Sequence, residues 1–101
     1  YPEPTNDDGA ENKYLTDVFQ LPISWVQWLA DIDTLASVAY EFDNGVVVTN
    51  ESFTDDTSVA TISFNNVGQF TVCARATASN GNVESKKFIY NVTKCIENYY
   101  P

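Results

Sequence analysis

The chain has 101 residues, 44% of them hydrophobic and 14% aromatic, which is enough for one hydrophobic core and too little for a second folded unit. With 14 acidic against 5 basic side chains the net charge is -9, a surface that repels phosphate and suits cations or neutral ligands such as glycans, so nucleic acid and membrane insertion are not expected. Histidine is absent, which excludes serine triads, histidine general bases and histidine-ligated zinc within the chain.

Residues 1–14, "YPEPTNDDGAENKY", are polar, with prolines and a glycine but neither the basic start nor the apolar centre of a signal peptide, and read as a flexible linker or leader. The absence of methionine suggests a piece of a larger protein. A domain is expected over 15–95. Its first apolar segment, "LPISWVQWLADIDTL", supports two periodicities. Leu21, Trp25, Trp28, Leu29, Ile32 and Leu35 fit helical spacing, whereas the β-branched and aromatic density favours a strand, the preferred reading.

Alternation is clear from there on. In "SVAYEF" Val38, Tyr40 and Phe42 share a face; "DNG" (Asp43 to Gly45) signals a tight turn; "VVVT" continues as a strand and "TNESFTDDTS" reads as a polar loop. "VATISF" places Ala60, Ile62 and Phe64 inward, "QFTVCARATA" places Phe70, Val72, Ala74 and Ala76 inward, and "KKFIYNVT" does the same for Phe88, Tyr90 and Val92. "NNVG" and "SNGN" turn between them. Short strands at this spacing, each with one apolar face, describe an all-β, antiparallel immunoglobulin-like β-sandwich of about seven strands.

"YEFDNG" followed by "ATISFNNVGQFTVCARATASNGNVES" resembles the polycystic-kidney-disease (PKD) type of immunoglobulin-like domain. Phe42 and Gly45 match that family's mid-domain turn, and Gly68, Phe70, Thr71, Val72, Asn80 and Gly81 match its later strand and turn. Tyr40 stands where tryptophan is usual and Asp43 replaces the first turn glycine. The resemblance implies an extracellular or cell-surface module with no catalytic role, acting as a spacer, an adhesion unit or an accessory to an enzyme, with neighbouring domains of the same protein as partners. Residues 96–101 would be a tail or a link to a following domain.

Side-chain parity sets the cysteines apart from an antibody-type pair. With Phe70 and Val72 inward, Cys73 faces away from the core. If Asn80-Gly81 is a two-residue hairpin turn, opposed positions sum to 161 and Cys73 faces Phe88. Cys95 lies seven positions further on, roughly 24 Å at ~3.4 Å per residue, beyond the about 7 Å between Cα atoms that a disulfide spans. No disulfide between Cys73 and Cys95 is expected.

Four features could carry chemistry. Trp25 and Trp28 are three apart, so on a regular strand one projects outward, where a sugar ring or a protein ligand could stack; a bulge or helical turn would bury both. A carbohydrate-binding module of a secreted or surface polysaccharide-utilisation protein is therefore the alternative function. Asp31, Asp33 and Asp43 could converge at one end of a sandwich and take calcium, though turn chemistry alone accounts for Asp there and at Asp55-Asp56; no other cofactor is expected. Asn50 and Asn91 begin glycosylation sequons, meaningful only in a eukaryotic secreted protein. No nucleophile-and-base set is present, and an enzyme is not expected.

Overall fold

The computed structural model describes residues 10–94. Cys95 and the expected tail at 96–101 lie outside the described residues. The strands are β1 (Glu11–Tyr14), β2 (Phe19–Ser24), β3 (Leu35–Phe42), β4 (Val46–Phe53), β5 (Thr57–Phe64), β6 (Gly68–Ala78) and β7 (Val83–Thr93). They form a four-stranded sheet in the order β1-β7-β6-β3 and a three-stranded sheet in the order β2-β5-β4. Every pairing is antiparallel except β1 with β7, which is parallel. This is the all-β sandwich that the alternation predicts. β1 is a departure: Glu11–Tyr14, expected within the linker, pairs with Tyr90–Thr93 of β7. Its inward Lys13 sits with Nζ 4.0 Å from the centre of the Phe19 ring.

The core lies between the sheets. Phe70, Val72, Ala74, Ala76, Tyr90 and Val92 of the larger sheet face Leu21, Ile23, Val46, Ala60, Ile62 and Phe64 of the smaller. Phe64 sits at the centre of an aromatic group, with ring centres 6.0 Å from Phe19, 6.0 Å from Phe70 and 5.8 Å from Tyr90. Phe42 shares its expected face with Val38 and Tyr40, opposite Val72, but it ends β3 at the rim and is 45% exposed, while Val38 and Tyr40 are half-buried.

Two local features differ from the sequence reading. The polar segment after Thr49 stays in β4, because a bulge between Thr49 and Ser52, with Asn50 at φ 53°, restores pairing at Ser52↔Val59 and Phe53↔Ser58. The β6–β7 hairpin closes at the pair Ala78 and Asn82, with three residues between them. The Ala78 amide bonds the Asn82 carbonyl, the Gly81 amide bonds the Ala78 carbonyl, and Gly81 takes φ 95°. That length sets Phe70 opposite Tyr90 and Cys73 opposite Lys87 rather than Phe88.

Candidate functional site

Three connections meet at one end of the sandwich: 25–34 between β2 and β3, 54–56 between β4 and β5, and 79–82 between β6 and β7. Backbone hydrogen bonds tie them together, from Trp25 N to Asp56 O, Leu35 N to Asp55 O and Ser79 N to Thr34 O, each 2.8 Å. The Asp33 carboxylate accepts from Ser79 Oγ at 3.3 Å and from Asn80 Nδ2 at 2.6 Å.

The tryptophan segment is neither a continued strand nor a helix. β2 stops at Ser24, and the amides of Trp28 and Leu29 both bond the Trp25 carbonyl at 3.1 Å, making a single turn. Trp25 keeps the inward side of the β2 alternation with Leu21 and Ile23 and lies in the core at 0% exposure, where its indole Nε1 donates to the buried Ser58 Oγ at 2.9 Å. Trp28 packs edge-on against it at 5.9 Å and is half-buried. Of the two tryptophans, Trp25 is buried and offers no ring to a sugar, and Trp28 is half-buried.

The same turn pushes other apolar side chains outward. Ile32 is 91% exposed and Val26 53%. Val26, Leu29 and Ala30 line an open recess whose remaining walls are Asp31, Asp33 and Asp56. Connections 25–34, 54–56 and 79–82 together hold four aspartates and no lysine or arginine. The cation beside them is Lys86, whose Nζ lies 3.3 Å from the Ser24 carbonyl oxygen and 5.4 Å from the Trp25 ring centre. The sequence reading offers Asp31 and Asp33, together with Asp43, as cation ligands and the tryptophans as the apolar contacts. It missed Val26, Leu29 and Ile32, although an isoleucine between two aspartates in "DID" is an apolar residue where turn chemistry favours none.

Asp43 is not part of this group. It lies at the opposite end, where its Oδ2 accepts from the Thr71 amide at 2.8 Å. Asp33 is bonded to Ser79, eight residues along from Thr71, roughly 26 Å away at ~3.3 Å per residue. The expected convergence of Asp31, Asp33 and Asp43 does not occur, and among the described residues no group of three or more acidic or thiol side chains could hold a metal ion. That opposite end exposes Val18, Phe42 and Val67.

The remaining sequence candidates lie on the sheets. Asn50 occupies the β4 bulge. Asn91 sits within β7, between β1 and β6, and its Oδ1 accepts from Gln69 Nε2 at 3.0 Å. Cys73 is a half-buried free thiol on the outer face of β6, as parity predicts; its expected lack of pairing with Cys95 concerns a residue outside those described. Burial raises two phenols: that of the half-buried Tyr40 is shifted upward, and that of the buried Tyr90 is pushed up to about 12, with the Glu11 carboxylate a second, smaller cause.

Residues 13–91, from β1 into β7, match the model of the family described as Podophage GP4 fiber-tail adaptor protein gp77. No curated protein matches the chain. Among solved structures, the cysteine protease inhibitor EhICP2 from Entamoeba histolytica is similar with a TM-score of 0.51 and 6% identity, over 84% of this chain and 88% of that one. At that identity the likeness concerns the fold alone. The family match overturns the PKD-type resemblance, whose turn and strand motifs are those of β-sandwiches broadly. With it go the expected roles as an extracellular spacer, cell-surface adhesion unit or carbohydrate-binding module. The Asn50 and Asn91 sequons lose their premise too, since the matched family is one of bacteriophage proteins.

Proposed function

The chain belongs to the Podophage GP4 fiber-tail adaptor protein gp77 family, and on that premise we propose that it works as a protein-binding adaptor in a phage particle, linking fiber to tail with no catalytic step of its own. The observation that carries this reading is the extent of the match. It runs through all seven strands, so the family assignment applies to the sandwich itself rather than to an appended segment. The composition agrees with a binding role, because a chain without histidine has no serine triad and no histidine general base. So does the geometry, since a sandwich with exposed apolar residues at both ends offers two separate places for neighbours to sit.

The test is reconstitution. The full chain is mixed with the tail protein and the fiber protein of the same phage, singly and together, and complexes are separated by size-exclusion chromatography and weighed by native mass spectrometry. A species containing all three is expected. Recovery of the chain alone from every mixture would overturn the adaptor reading.

A further inference from the structure

We propose that the end built from connections 25–34, 54–56 and 79–82 is a docking face, and that its occupant is a protein surface presenting an apolar side chain flanked by lysine or arginine. Two independent features set the chemistry. The first is apolar: Ile32 stands 91% exposed beside the recess lined by Val26, Leu29 and Ala30. Exposed apolar surface with a polar rim is the usual mark of a contact site, and an apolar side chain entering such a recess leaves water on both partners. The second is electrostatic. Asp31, Asp33 and Asp56 wall the recess, the exposed Asp55 precedes Asp56 in the same connection, and the three connections hold no lysine or arginine. Asp33 is already committed to Ser79 and Asn80, and Asp56 accepts from the Thr57 hydroxyl. The Asp31 and Asp55 carboxylates have no ion-pair or side-chain hydrogen-bond partner among the described residues and are exposed.

This charge pattern selects the occupant. A second copy docking end to end would bring four carboxylates against four, and a nucleic acid or anionic membrane would meet the same repulsion. A basic rim around an apolar anchor satisfies both features. The face is also preorganised, because three backbone hydrogen bonds between the connections and the buried Trp25 fix the loop that carries Ile32.

The identity of the partners rests on the adaptor reading; the location of the face does not, and the experiment has an arm for each. In the first arm, ¹⁵N-labelled full chain is titrated with a short peptide of alternating lysine and leucine, and separately with one of alternating lysine and serine. Amide shifts confined to the three connections, stronger with the leucine peptide and reduced when salt shortens the screening length, are the expected result. Shifts spread over the sheet faces, absent, or equal for the two peptides would overturn the face, whatever the chain does in a phage.

In the second arm, Ile32→Ser and the double variant Asp31→Asn with Asp55→Asn are compared with the unaltered chain for binding to the tail and fiber proteins. All three residues changed are solvent-exposed, so unchanged thermal midpoints serve as the folding control. Each variant should weaken one of the two partners about tenfold or more and leave the other alone. Normal binding of both partners by both variants would overturn the face while leaving the adaptor reading intact. Failure of the unaltered chain to bind either partner would overturn the adaptor reading, and the peptide arm then judges the face alone.

Discussion

Replacing Gly45 by alanine brings two separable costs to one turn. Gly45 closes the β3–β4 turn at φ 112°, a conformation that a side chain makes unfavourable by about 1–3 kcal/mol. Its Cβ would also lie 2.8 Å from Cε1 and 3.2 Å from Cζ of Phe70. The Phe70 ring is buried and stacked on Phe64, so moving it disturbs the core and adds about 1–3 kcal/mol. Gly81 supplies the control: it takes φ 95° and nothing lies within 4 Å of its Cβ position. Gly81→Ala should therefore show the backbone cost alone, and Gly45→Ala should exceed it by the core cost, out of a total stability of about 5–15 kcal/mol. Urea titrations with a shared m-value read the difference directly. Phe70→Leu in the Gly45→Ala background should recover part of the loss, giving a coupling energy of about 1 kcal/mol. Equal losses at the two glycines, with no coupling to Phe70, would refute the packing of that ring against the turn.

Ser58→Ala removes the acceptor of the buried Trp25 indole N–H and should cost about 1–3 kcal/mol in urea titration; a loss under ~0.5 kcal/mol would mean the indole has another partner. Tyr90 has a buried hydroxyl without a hydrogen-bond partner, so Tyr90→Phe should be neutral or stabilising at pH 7. Because its folded pKa of about 12 lies above the ordinary 10.0, the neutral phenol's contribution is complete below pH 10 and is lost as pH rises toward 12. The unaltered chain should thus lose stability over that interval, and Tyr90→Phe should lose less of it, as alkaline denaturation followed by circular dichroism would show. In a Cys95→Ser chain, Cys73 should take one adduct of a small thiol reagent in the native state, read by intact mass; an adduct only after denaturation would mean the outer face of β6 is covered.

The strand faces were legible because the inner surfaces alternate without interruption: β5 alternates half-buried and buried at every position, and the even-numbered residues of β6 from Phe70 to Ala78 are all buried. The β6–β7 register was legible too, in a way the turn motif obscured. Directly opposed residues share a face. Phe70 and Tyr90 both point inward, so opposed positions must have an even sum, which excludes 161 and agrees with the observed Phe70↔Tyr90 pairing. Tyr40 and Ala74, opposed across β3 and β6, obey the same rule. The far half of β4 was not legible. Thr49–Phe53 is exposed along its length at the edge of the three-stranded sheet, so no face there has to be apolar, and the bulge at Asn50 breaks what alternation remains. β1 escaped notice for a related reason: four residues at a sheet edge, one of them a lysine lying over a phenylalanine ring, leave no periodic trace.

The candidate site was half legible for a reason rooted in how a sandwich is built. Strand composition is constrained by the core on every second residue, whereas connections at the two ends answer only to turn geometry and to whatever they touch. The aspartates in "DIDT" and "FTDDT" were visible, but their function depended on which end each occupied. That is a property of topology: Asp33 and Asp43 are ten residues apart in sequence and lie on opposite ends because β3 runs between them. Trp28 was obscured for the same reason, since the turn that follows Trp25 ends the alternation that places Trp25 inward with Leu21 and Ile23. The motifs that resembled another family belong to the strands and turns, which many β-sandwiches share, so they carry the fold and not the role. What can distinguish one sandwich from another is the chemistry of its ends. Here one end shows Val18, Phe42 and Val67, and the other shows Ile32 and Val26 among four carboxylates. Because separate connections build the two ends, either can change to fit its neighbour without disturbing the core or the opposite end, a division that suits the proposed adaptor role.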